Sequence, residues 1–226
     1  MRLRAVIFDV DGTLVDSQAD ILAAMGAAFE AERLSAPSRE AVLGIVGLSL
    51  DVAIPMLAPD TDAMTCTRMV QGYKDAYADL RRTQGADISS PMYAGARQAL
   101  ARLQQQDEIL LGVATGKSRR GLDKLIEAHG LEGVFLTRQV ADDHPSKPNP
   151  SMLFQAMREL GVEADDAVMI GDTSFDMEMA RAAGICFIGV TWGYHDISRI
   201  GGSDVLIDSF EELDDALTKI WSESHV

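Results

Sequence analysis

The sequence predicts an α/β protein, a doubly wound parallel sheet of Rossmann-like type, interrupted once by an inserted all-helical module. Short apolar runs rich in β-formers recur at residues 5–8, 109–114, 134–136, 167–170, 185–190 and 205–207, with helix-period segments between them. Such alternation places the strands parallel and the helices on both faces. Between about residue 16 and about residue 88 the alternation stops. Only helix-period segments are found there (21–33, 49–57 and 65–82), punctuated by Pro37, Pro55 and Pro59. The expected division is therefore an α/β core of residues 1–15 and 89–226 and a helical module of 16–88. The connections near 15–17 and 88–91 are placed to act as hinges. Met25, Met56, Met64 and Met69 in the module are expected to fill its core.

Composition bounds the function. A chain of 226 residues with 47% hydrophobic residues buries a substantial core. Lys and Arg total 20 against 35 Asp and Glu, a formal net charge of -15, and a field of that sign repels a polyanionic backbone. Nucleic acid is not expected as a partner, and a small anionic substrate would need cations supplied locally. Cys66 and Cys186 stand far apart in no metal-type spacing, which suits small hydrophobes in a reducing compartment. The apolar run near residue 5 is too short for a leader or a membrane span, so a cytoplasmic location and no membrane partner are expected.

The first strand runs into Asp9-Val10-Asp11-Gly12-Thr13. Residues two apart on an extended segment face the same side, so Asp9 and Asp11 can address one ligand, and Gly12 lets the backbone turn. Two unit charges about 4 Å apart interact by roughly 4 kcal/mol at an effective dielectric near 20, so two carboxylates beside a phosphate need a cation. Oxygen-only ligands suit magnesium better than zinc. A distant acid is available after the strand at 167–170, where Gly171-Asp172-Thr173-Ser174-Phe175-Asp176 places Asp172 and Asp176 at the same sheet edge. Helix capping by Asp172 or Ser174 is the alternative reading of that segment, and the acidic pair after the first strand weighs against it. The strand at 109–114 ends in Thr115-Gly116-Lys117-Ser118, a hydroxyl and backbone amides at a helix start, suited to an anion; Thr115 as an ordinary cap is the alternative. The glycine spacing is one residue short of a Walker A loop, which excludes a nucleotide P-loop. Lys147, between Pro145 and Pro148, is a cation whose loop loses little entropy on ordering. His195 follows a strand at the active edge and reads as an exposed loop histidine, and Arg119 and Arg120 read as a solvated helix face.

These four segments, in this order and spacing and across nearly the whole chain, resemble the four motifs of the haloacid dehalogenase superfamily. The insertion after the first motif resembles the helical cap of the subfamily that includes phosphoglycolate phosphatases, β-phosphoglucomutases and small pyrophosphatases, and the wording is most similar to the phosphoglycolate-phosphatase-like group. The resemblance implies a haloacid dehalogenase core and a magnesium-dependent phosphatase acting on a small phosphorylated metabolite. It implies Asp9 as nucleophile, Asp11 as general acid and base, and Thr115 and Lys147 as holders of the transferring oxygens. Magnesium is implied on the Asp9 and Asp172 carboxylates and the Asp11 backbone carbonyl, with Asp176 supporting. Dehalogenases and phosphonatases resemble this chain but lack an acid at the position of Asp11.

Three alternatives stay open at this stage: a phosphomutase of the β-phosphoglucomutase type, an inorganic pyrophosphatase, and a non-catalytic binding protein. Residues 44–50 carry no basic side chain to grip a second phosphate, which favours hydrolysis over mutase chemistry. No motif acid is missing, which disfavours the binding protein. A monomer or homodimer is expected, and the residues do not decide between them.

Overall fold

A computed structural model describes residues 2–223. In chain order its elements are β1 (Arg4–Phe8), α1 (Gln18–Ala31), α2 (Arg39–Leu43), α3 (Leu50–Leu57), α4 (Ala63–Gln84), α5 (Ala86–Ser89), α6 (Ala96–Leu103), β2 (Ile109–Thr115), α7 (Arg119–His129), β3 (Thr137–Val140), α8 (Ser151–Leu160), β4 (Ala167–Gly171), α9 (Ser174–Ala183), β5 (Cys186–Val190), β6 (Val205–Ile207) and α10 (Leu213–Glu223). The six strands form one parallel sheet in the order β3-β2-β1-β4-β5-β6, the predicted doubly wound arrangement.

Strand alternation builds the two faces. Val6 and Phe8 turn to one side with Leu111, Val113, Val168 and Ile170, where α6, α7 and α10 cover them. Ala5 and Ile7 turn to the other side with Ala167, Met169 and Phe187, under α8 and α9. Burial on both faces explains why these strands read as continuous apolar runs.

One predicted strand is misplaced. The apolar residues 134–136 precede the pairing segment, which is Thr137–Val140, and Leu136 is 63% exposed. β3 is an edge strand paired only with β2. Val140 packs into the apolar core, but on the opposite face the buried side chains are polar and satisfied laterally: the Thr137 hydroxyl and the Gln139 amide donate to Glu159 at 2.6 and 2.9 Å. An apolar-run criterion passes over such a strand.

Helices α1 to α4 close a third cluster around Ile21, Met25, Phe29, Ile54, Met69 and Val70. Met25 and Met69 are core residues, as expected, but Met56 and Met64 are 56% and 74% exposed on outward helix faces and fill nothing. The two strand-side connections lie against each other. Val15 forms an antiparallel bridge with Met92, Asp16 N–H donates to the Pro91 carbonyl at 2.9 Å, and Tyr93 N–H donates to the Leu14 carbonyl at 3.0 Å. Among the described residues no helix is long and apolar enough to cross a membrane.

Candidate active site

The strand order reverses between β1 and β4, and in doubly wound sheets ligands sit beyond the strand ends at that reversal. Register brings the two acidic loops together there. Phe8 pairs with Ile170, and Asp9 N–H donates to the Ile170 carbonyl at 2.9 Å. Asp9 leaves β1 and Asp172 leaves β4 on adjacent strands, both buried.

Asp172 is fixed from three directions. The Thr13 hydroxyl donates to its Oδ1 at 3.0 Å, Tyr194 N–H donates to its Oδ2 at 2.8 Å, and Gly12 leaves room for it. Gly12 sits at φ +86, and a Cβ there would overlap the Asp172 carboxylate, so glycine is required by both conformation and space. Asp172 does not cap α9. Thr173 does, in a capping box with Asp176: its hydroxyl takes the Asp176 N–H at 3.2 Å, while Asp176 Oδ2 takes the Thr173 N–H at 3.1 Å. That leaves Asp176 Oδ1 for Lys147, whose Nζ donates 2.6 Å bonds to both Asp176 and Asp9. The lysine side chain has no exposed surface.

These groups set one another's ionisation. Burial pushes the Asp9 carboxyl up to about 7, with Asp176 adding to the rise and Lys147 opposing it. Burial also raises Asp172 well above the ordinary carboxylate range, helped by Asp9 and Asp176. Burial works against the Lys147 charge, but Asp176 and Asp9 outweigh it and hold the ammonium well above the ordinary lysine range. One carboxylate oxygen from each of Asp9, Asp172 and Asp176 lies within 4.8 Å of the others, all buried. Once ionised, three acids against one lysine carry an anionic excess that a divalent cation would offset, and hard oxygens at this spacing fit magnesium.

Asp11 stands in a second cluster, 8% exposed. Lys117 Nζ donates to its two oxygens at 2.6 and 2.8 Å, and the Ser17 hydroxyl also donates to it. Burial pushes this carboxyl up, but Lys117 and then Ser17 outweigh it, leaving Asp11 below the ordinary range. Lys117 was not singled out from the sequence as a site residue. Its local signal is its place two residues after Thr115 on the loop entering α7, and its pairing with Asp11 depends on a contact 106 residues away in sequence.

Thr115 ends β2 with 1% exposure, its hydroxyl accepting the Lys117 N–H at 3.2 Å. It is not a cap: Ser118 caps α7 through Gly121 N–H at 3.2 Å. Arg119 is committed to Asp143 at 2.6 Å and to the Arg138 carbonyl at 2.8 Å, away from the acids, and Arg120 is exposed.

His195 corrects the sequence reading. It is 4% exposed, not a solvated loop residue. Its Nδ1 accepts the Ser174 N–H at 3.0 Å, which leaves Nε2–H to donate to the Gly44 carbonyl at 3.1 Å. It thereby ties the start of α9 to the α2–α3 loop. That loop lies directly on the motifs: a Cβ on Gly116 would stand 2.6 Å from the Gly47 carbonyl oxygen, and Ser49 N–H donates to Ser146 Oγ at 2.9 Å. Burial, then Arg199, lowers the His195 pKa to about 4. Unfolded histidine titrates near 6.5, so between pH of about 6.5 and about 4 the unfolded chain takes the proton first and stability falls with pH. Thermal melts of His195→Gln against the parent are expected to show a shallower loss of stability across that window; equal slopes would refute the assignment.

The fold and this rim define an α/β enzyme. The chain belongs to the haloacid dehalogenase-like hydrolase family, which it matches over residues 6–190. It is 35% identical over 213 residues to "Probable phosphatase IndB" of Dickeya dadantii, covering 92% of this chain and 90% of the relative. It is 30% identical over 224 residues to the phosphoglycolate phosphatase of Vibrio parahaemolyticus, covering 93% and 94% of the two chains. A haloacid dehalogenase-like family hydrolase from Streptococcus pneumoniae superposes with a TM-score of 0.81 over 95% of this chain and 98% of its own, at 22% identity, a likeness of fold alone.

Proposed function

We propose that the protein is a magnesium-dependent phosphatase of small phosphate monoesters, phosphoglycolate-like, acting through an aspartyl-phosphate on Asp9. The observation that carries this reading is the buried convergence of the Asp9, Asp172 and Asp176 carboxylates at the sheet's switch point, with Lys147 bridging Asp9 and Asp176. The phosphatase and phosphoglycolate phosphatase relatives support the reaction and the substrate class.

Asp9 Oδ forms the bond to phosphorus as the ester P–O bond breaks. Asp11, ionised against Lys117 in the free protein, takes up a proton as the phosphate ester binds beside it, gives that proton to the departing alkoxide and then takes one from the water that attacks the phosphoryl group, freeing Asp9 and inorganic phosphate. Lys147 and the Thr115 hydroxyl hold the transferring oxygens. Asp9, Asp172 and the Asp11 carbonyl would hold magnesium, with Asp176 supporting; the ion neutralises charge so that a carboxylate can approach a dianion. Residues 16–88 form the cap, and the paired segments at 15–16 and 91–93 are its hinge, allowing the α2–α3 loop to leave and re-cover the site.

The test is hydrolysis of an aryl phosphate followed by a panel of phosphoglycolate, pyrophosphate and sugar phosphates. Turnover is expected with magnesium and a loss of at least about 100-fold on chelation, restored by added magnesium. Undiminished turnover in excess chelator, or none on any ester, would overturn the reading.

A further inference from the structure

We infer, on the footing of the function just proposed, that Lys117 with Tyr77 of α4 binds an anionic group on the leaving half of the substrate, which selects esters whose alcohol carries a carboxylate next to the ester carbon.

Lys117 and Lys147 are the two buried lysines at the rim. Lys147 is committed to Asp9 and Asp176, on the phosphoryl side. Lys117 lies on the other side of the reacting bond, against Asp11. Its Nζ also donates to the Tyr77 hydroxyl at 3.1 Å and sits 5.1 Å from the centre of that ring. Having accepted from Lys117, the Tyr77 hydroxyl keeps its own hydrogen to donate. Tyr77 shares one face of α4 with Tyr73 and Arg81, at helical spacing. Tyr73 stacks on it at 5.8 Å, and the Arg81 guanidinium lies 4.8 Å from its centroid. This face gives α4 an aromatic surface toward Asp11, and the Arg81 charge on it is itself paired with Asp20 at 3.8 Å, which leaves Lys117 as the cation of the pair. The α2–α3 loop has no basic residue, and Arg119 is engaged elsewhere.

Distances set the size of the tail. A proton passes from Asp11 to the leaving oxygen over a hydrogen bond of about 2.7 Å. Lys117 Nζ is 2.6 Å from one Asp11 oxygen, so the ammonium stands within about 5 Å of the ester oxygen. A carboxylate on the ester carbon puts an oxygen about 3 Å from the ester oxygen, within one hydrogen bond of that ammonium, which turns toward it one of the two donors it gives Asp11 in the free protein. A methyl in its place offers Lys117 and Tyr77 nothing, and displaces water from both.

The experiment compares 2-phosphoglycolate with ethyl phosphate, which has a methyl where the first has the carboxylate. For the parent with magnesium, kcat/KM is expected to favour phosphoglycolate by at least about 30-fold. Lys117→Met is expected to bring the ratio to within about 3-fold of unity, chiefly by raising KM for phosphoglycolate, and Tyr77→Phe to lower it several-fold. A parent ratio near one overturns the inference and requires no variant to fold. So does an equal loss on both substrates in Lys117→Met, which would make Lys117 a positioning residue for Asp11 alone. Hydrolysis of the aryl phosphate without such a preference leaves the phosphatase standing and removes only the subsite, whereas no turnover of any ester removes both.

Discussion

Asp9→Asn is expected to lower turnover of every phosphate ester by at least about 10⁴-fold while leaving the fold intact. The amide is nearly isosteric and keeps an oxygen to accept from Lys147, so the loss falls on the chemistry. Stability carries an independent sign. Burial raises the Asp9 pKa to about 7, above its ordinary 3.8, so the native state holds a proton that the unfolded chain releases between those values. That contribution is present at low pH and is lost as pH rises through about 7. Without magnesium, Asp9→Asn should therefore melt at or above the parent at pH 8, and added magnesium should stabilise the parent more than the variant. Turnover within about tenfold of the parent would remove Asp9 from the proposed mechanism.

Lys147→Met is expected to have the largest effect on stability. The side chain has no exposed surface and bridges two buried acids. Removing one partner of a buried pair costs about 3–5 kcal/mol, because the charges left behind are not compensated. For a chain of 226 residues that corresponds to a fall in melting temperature on the order of 10 °C. Magnesium, facing the same carboxylates, is expected to recover part of the fall. Turnover should drop by about 10³-fold even at saturating magnesium, because the charge facing the transferring oxygens is gone. The check pairs calorimetry with initial rates; a melting temperature unchanged without metal would show that Asp9 and Asp176 are not held as described.

The sheet was legible in the sequence because both its faces are buried: residues 5–8, 109–114 and 167–170 are apolar without interruption, and only a core strand of that length suits them. The edge strand β3 was not, because Thr137 and Gln139 are buried through hydrogen bonds to Glu159, a long-range partner that no local pattern reveals. In the site, acids two apart at a strand end and a lysine between prolines are local signals. Lys117 and His195 depend on contacts with α4 and the α2–α3 loop, which follow from how the helical segment lies over the rim. Met56 and Met64 mark the same limit: helical period says which residues share a face, not which face is covered.

The central claim is that Asp9 itself carries the phosphoryl group. The most direct measurement is borohydride reduction of enzyme acid-quenched during steady-state turnover, followed by peptide sequencing. An acyl phosphate at Asp9 predicts homoserine at position 9 in place of aspartate, dependent on both substrate and magnesium. Active enzyme that yields no reduced residue, or yields it at Asp11 or Asp172, would contradict the account.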